Sequence, residues 1–311
     1  MKPVILDCDP GHDDMAAIIL AARSEELELL GITAVAGNQT VDKTYSNARA
    51  VCTLIGRSDI PVFRGCAAPL VRDLVTAPHI HGKSGLDGST LPEPEGKESK
   101  LHAVDWLRTT LEGSGEPVTL IATGPLTNVA MLMIQEPDVK KKISNLVIMG
   151  GGHTQSNITP AAEFNIYVDP EAADVVFRSG LPITQVTLDV TNTALFTDQD
   201  IDRIQSAGNP VADTVAPLLR YFSDANKGQF GMAGAPLHDP VTVAYTIDPK
   251  VIKTEHYNVE IETKSELTRG RTVIDVHRVT GRKPNADVSV AIDLDYFKKM
   301  VFKSLGARPI R

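Results

Sequence analysis

The chain has 311 residues, 42% of them hydrophobic, and a net charge of −8 with both signs interspersed. That length and apolar content allow a large core. The absence of a basic tract argues against a nucleic-acid partner, and no apolar run approaches the roughly 20 residues needed to span a bilayer. Three cysteines without a CxxC, Cys8, Cys52 and Cys66, suggest neither a disulfide framework nor a zinc knuckle. A reducing compartment fits, and the first residues run straight into a strand pattern with no leader, so a cytoplasmic protein without a membrane partner is expected.

The apolar pattern alternates short β-rich runs with longer helical ones. PVILDCD reads as a strand and DDMAAIILAARS as the helix after it. LELLGITAVAGN is the next strand and TYSNARAVCTLIG the next helix. PVFRG and VTLIAT are strands, LTNVAMLMIQ a helix, and NLVIMGGG and ITQVTLDVT further strands. Near the C-terminus HYNVEIETKSELTRGRTVIDVHRV reads as an antiparallel pair, and DYFKKMVFKSLG as a closing helix. Continuous apolar strands separated by helices predict an α/β fold: an open, mainly parallel sheet covered on both faces, with a small antiparallel addition. No composition break divides the chain, so one domain over 1–311 is expected. The Gly-, Pro- and charge-rich stretch 76–100 reads as a mobile active-site loop.

Ligands bind outside the carboxyl ends of parallel strands, and polar residues collect there. The stretch DCDPGHDD places Asp7, Asp9, Asp13 and Asp14 within eight residues. Asp13 and Asp14 open a helix, where one of them can simply cap it. Asp7 and Asp9 can be solvated strand-end residues, yet that leaves four carboxylates together unexplained. A hard, oxygen-seeking cation would explain them, calcium more than magnesium because it accepts more protein oxygens. Asp239 precedes Pro240 and can be a helix N-cap, with His238 beside it. Glu163 and Asn165 sit in an apolar run, as a polar sheet edge or as ligand contacts. His12 and His153 are expected near a pocket mouth without a role, Trp106 in helix packing, and Cys8 as an inert buried thiol.

These stretches resemble the inosine-uridine-preferring nucleoside hydrolase family. DCDPGHDD is similar to its DxDPGxDD signature. AGNQT, HIHGKSG, TGPLTN, VIMGGG, AEFNIYVDPEA and HDP are similar to further family blocks, in the family's order, over nearly the whole chain. The resemblance implies hydrolysis of the N-glycosidic bond of ribonucleosides. It implies one Ca2+ held by Asp9, Asp14, the Thr123 carbonyl and Asp239, with Asp9 as the base that deprotonates the metal-bound water. It implies ribose contacts from Asp13, Asn38, Asn157, Glu163 and Asn165, His238 on the base side, and Asp7 in support. A homodimer or homotetramer is implied too. An oxocarbenium-like transition state suits carboxylates around the sugar.

The base-binding end departs from the family's pyrimidine-preferring members. They carry Gln and Tyr twelve and eight positions before HD, where this chain has Asn226 and Phe230. Phe230 can stack on a base or belong to the core, and His81 can reach the base or be a solvated loop residue. His81 and His238 together lean the reading to pyrimidine nucleosides, uridine and cytidine, in salvage. The alternatives are a purine or broad-specificity hydrolase and a non-catalytic nucleoside-binding protein. A haloacid-dehalogenase-like phosphotransferase would need Thr or Val where Gly11 stands. A purely structural calcium site in an enzyme of other chemistry is the remaining competitor.

Overall fold

The computed structural model describes residues 1–308. Twelve strands are numbered in chain order: β1 Lys2–Cys8, β2 Leu27–Ala34, β3 Val62–Arg64, β4 Val118–Ala122, β5 Ile143–Met149, β6 Ile183–Val186, β7 Leu195–Phe196, β8 Ala235–Pro236, β9 Ile252–Tyr257, β10 Val259–Ile261, β11 Thr272–Ile274 and β12 Ala286–Ile292. Eight form one sheet in the order β3-β2-β1-β4-β5-β6-β12-β9. All neighbours pair in parallel except β12 and β9 at one edge. β10 and β11 make the expected antiparallel pair.

Alternation along the strands separates two hydrophobic layers. Val4, Leu6 and Cys8 of β1 face one layer, with helices His12–Arg23, Val41–Leu54, Pro210–Phe230, Pro240–Ile247 and Leu294–Ser304. Ile5 faces the other, with helices Ala103–Gly113, Thr127–Gln135 and Pro170–Phe177. Both faces of the sheet are therefore covered, as the continuous apolar strands require. Trp106 packs from its helix onto Phe63, ring centroids 4.3 Å apart. Cys8 is wholly buried.

One expected strand is corrected. ITQVTLDVT is a strand only to Val186, and Leu188–Thr191 is a helical turn. Its neighbour β5 has already ended at Met149, so no ladder partner continues. The Leu188 N–H instead donates to the Gly151 carbonyl at 3.0 Å. The segment 76–100 holds one short helix, Pro78–His81, and otherwise turns and irregular backbone.

Leu120 lies in β4 at the centre of the sheet and is fully buried. Leu120→Ala is expected to cost about 2–5 kcal/mol, the usual range for a core leucine, read as a lowered urea midpoint with an unchanged m-value.

Candidate active site

Because β1, β2, β4 and β5 run in parallel, their carboxyl ends lie side by side, and the chain leaving them supplies Asp9, Asn38, Thr123 and Gly150–Gly152 to one edge. The helix His12–Arg23 starts at that edge and brings Asp13 and Asp14. The helix Pro240–Ile247 brings Asp239, and the short helix Phe164–Val168 brings Glu163 and Asn165. The cavity between them is open and about 670 Å³ in empty volume.

The carboxylates are held differently. Asp14 accepts from the Gly11 N–H at 3.0 Å and from the Thr123 hydroxyl at 2.8 Å, so it does cap its helix. Asp239 sits at a helix start but makes no capping bond with its side chain, contrary to its plain reading as an N-cap. One oxygen each from Asp13, Asp14 and Asp239 lies within 4.8 Å of the others. Asp9 accepts from the Asn38 N–H at 2.6 Å through Oδ2, while its buried Oδ1 has no partner. Asp7 lies below the cavity, bonded to the Thr33 hydroxyl and to Asn128 Nδ2 at 2.7 Å.

Glu163 is almost wholly buried and accepts three backbone N–H bonds, from Gly151 at 2.8 Å, Asn165 at 2.9 Å and Ile166 at 3.2 Å. It is a capping carboxylate rather than a polar sheet edge. Asn165 Nδ2 donates to the Thr123 carbonyl at 2.7 Å and to the Met149 carbonyl at 3.1 Å. Asn157 Oδ1 accepts from the Phe164 N–H at 2.9 Å.

No Lys or Arg lines the cavity among the described residues. Burial, and then neighbouring carboxylates, push Asp13 up to about 8 and raise Asp9 and Asp239, and burial raises Asp14. Burial also lifts Asp7 and Glu163 to about 7. An all-oxygen set with an unpartnered buried oxygen and no balancing cation fits a hard divalent ion. The tightest trio contains Asp13, whereas the family resemblance implied Asp9 in that position.

At the other end stand His79, His81, Phe222, Asn226, Phe230, Met232 and His238. His238 Nδ1 meets the Thr191 hydroxyl at 2.8 Å, and burial lowers the ring to about 4. Asn226 is buried and donates back to the Phe222 carbonyl at 2.9 Å. Phe230 is 39% exposed, so it is not a core residue. His81 is 6% exposed and is not a solvated loop residue. His12 is completely buried beneath the cavity instead of standing at its mouth, whereas His153 is exposed.

Sequence reasoning missed Thr191, the Thr123 hydroxyl and the packing of His12. A hydroxyl beside a helical turn carries no signal until the partner histidine is placed. Gly37 has a reason that the sequence alone does not show: a Cβ there would collide with the Asp9 carboxylate.

A model of the inosine-uridine preferring nucleoside hydrolase family matches residues 4–299. The chain is 49% identical over 310 residues to a pyrimidine-specific ribonucleoside hydrolase RihA of Enterobacter sp. (strain 638), covering 99% of both chains. Among solved structures it is similar to a purine-preferring ribonucleoside hydrolase from Gardnerella vaginalis, with 31% identity, a TM-score of 0.91 and 98% of each chain covered. It is also similar to a plant nucleoside hydrolase, with 30% identity, a TM-score of 0.92 and 98% and 99% covered.

Two outcomes are expected. Gly37→Ala should displace Asp9 and lower turnover by roughly 10²-fold, as a small misplacement of a reacting group does, in a protein that still unfolds cooperatively. In metal-free protein, Asp7, Asp13 and Glu163 bind protons more tightly when folded than when unfolded. Stability should therefore fall as pH rises from about 4 to about 8. Thermal unfolding with added calcium should show a gain that is larger at pH 8 than at pH 5.

Proposed function

The chain belongs to the inosine-uridine preferring nucleoside hydrolase family and is an N-glycosyl hydrolase of ribonucleosides; from this premise we propose that it works with one bound calcium ion and prefers uridine and cytidine. We place it in cytoplasmic nucleoside salvage, as a homodimer or homotetramer, with segment 76–100 as its active-site loop. The observation that carries the calcium reading is the buried carboxylate cluster in an open cavity that no Lys or Arg lines among the described residues.

Asp9, Asp14, Asp239 and the Thr123 carbonyl would hold the ion, with Asp13 in the same cluster. When bound, calcium neutralises the cluster and supplies Lewis acidity that makes a water a better nucleophile at neutral pH. Asp9 Oδ1, buried and unpartnered, accepts the proton of the attacking water.

The ribose end follows from which atoms are already engaged. Asn165 spends its Nδ2 on two carbonyls, so its Oδ1 remains to accept from a sugar hydroxyl. Asn38 likewise spends its Nδ2 on the Asp9 carbonyl and Asp14, leaving Oδ1. Asn157 has Oδ1 engaged, so its Nδ2 donates. Glu163 and Asp13 accept from the remaining hydroxyls. As the C1′–N bond breaks, positive charge grows on the sugar, and these oxygens stabilise it more than the ground state.

The departing base lies against His238 and Phe230. Burial keeps His238 neutral at pH 7, so it assists as a hydrogen-bond donor and not as a cation. The pyrimidine preference is supported by the 49% identity to a relative named pyrimidine-specific and by the joint presence of His81 and His238. Asn226 and Phe230 set the length and stacking of that end.

The test is reducing-sugar release from uridine, cytidine, inosine and adenosine, before and after chelation and calcium return. Loss on chelation, recovery with calcium and the order uridine or cytidine above inosine and adenosine are expected. Asp9→Asn should lower turnover by about 10²–10⁴-fold. Release that survives exhaustive chelation removes the calcium reading, and faster purine cleavage removes the pyrimidine one.

A further inference from the structure

His12 is a buried histidine inside DCDPGHDD that the reaction leaves without a task. It is fully buried, and its ring lies parallel to three others: His81 at 5.4 Å, Tyr221 at 5.5 Å and Phe222 at 5.3 Å between centroids. His12 Nε2 lies 2.8 Å from the Asp87 carbonyl, and His12 Nδ1 lies 3.1 Å from His81 Nδ1. Asp87 and His81 both belong to segment 76–100, so one ring ties that segment down twice. The same edge of the His81 ring faces Gly11, where a Cβ would lie 2.6 Å from Nδ1. His81 lines the cavity, and its Nε2 has no hydrogen-bond partner among the described residues.

We propose that His12 is a positioning residue that holds the 76–100 segment on the cavity and fixes His81 as the tautomer with its proton on Nδ1, so that Nε2 meets the substrate as a hydrogen-bond acceptor. The contacts select this arrangement. A carbonyl oxygen only accepts, so the 2.8 Å contact to Asp87 puts the His12 proton on Nε2. His12 Nδ1 then carries a lone pair, and the nitrogen 3.1 Å away must bring the proton. That nitrogen is His81 Nδ1. The competing arrangement lets His81 Nδ1 accept from the His12 backbone N–H at 3.2 Å. It sets two lone pairs face to face across the shorter contact, and that backbone N–H belongs to the first turn of a helix, where it lacks an intrahelical partner anyway. His81 so held takes a hydrogen bond from an N–H or O–H of the nucleoside, and His238 is left as the ring that donates.

The test has two arms on the calcium-loaded enzyme. Nitrogen-15 spectra of the histidine rings, with His81 assigned by its loss in H81F, should show His81 protonated on Nδ1 and His12 on Nε2. In H12N the Asn Oδ1 can stand where Nδ1 stood, and His81 should keep its tautomer. H12F keeps the ring stack without an acceptor, and His81 should lose the preference. The kinetic arm rests on ribonucleoside hydrolysis and uses whichever nucleoside the wild type cleaves fastest. H12F and H81F should each lose roughly tenfold or more in kcat/KM, the double variant should be no worse than either, and H12N should recover most of the loss. A His81 proton on Nε2 in the wild type overturns the proposal, and so do additive losses or an H12F with wild-type kinetics. The tautomer arm needs no turnover, so absence of hydrolysis would count against the enzyme's proposed chemistry and leave this assignment to be decided by the spectra.

Discussion

The structure turns on a charge that its own side chains do not cancel. Asp9, Asp13, Asp14, Glu163 and Asp239 are all buried at one edge of the sheet, and none of them forms an ion pair with Lys or Arg among the described residues. Burial and mutual repulsion make that arrangement costly. The fold offsets the cost unevenly. Glu163 is wrapped by three backbone N–H groups, and Asp14 by one N–H and a hydroxyl. Asp9 has one N–H for two oxygens. The carboxylates therefore divide into those the backbone satisfies and those that need something brought from outside. The second group, Asp9, Asp13 and Asp239, is where a hard cation would be needed.

A parallel sheet is what makes such a concentration attainable. The contributing residues lie from position 9 to position 239, yet every strand that carries them delivers its chain to the same edge. Helix starts meet that edge as well, with free N–H groups and the positive end of the macrodipole directed at the acids. The apolar layers on both faces supply stability well away from the cavity. A strained, proton-hungry cluster is tolerable because the framework around it is regular.

The sheet and the acid cluster were legible because both rest on strong local signals. Continuous apolar runs announce parallel strands, and four aspartates in eight residues have no ordinary structural reading. The strand ITQVTLDVT was overextended because periodicity carries no information on where the neighbouring strand stops. Asn157 was reached only through family resemblance, since a single amide in a loop has no pattern. His12 was illegible for a different reason. A histidine at a helix start reads as solvated, and only the return of the 76–100 segment, some seventy residues later, buries it.

The lining of the cavity is built by different means. Asp13, Asn38, Thr123 and Glu163 come from strand exits and helix starts fixed by the sheet. His81 and Phe230 come from the short helix Pro78–His81 and the end of the helix Pro210–Phe230, and Thr191 meets His238 from a helical turn. Relatives named for purine and for pyrimidine nucleosides match this chain over nearly its whole length, so they share the framework. The anchoring of the peripheral segments to that framework then matters as much as their composition. Phe230 stands half free at the end of its helix, whereas His81 is buried and meets the helix His12–Arg23 through His12. The peripheral lining thus pairs one side chain free to adapt with one held against the same helix that carries Asp13 and Asp14.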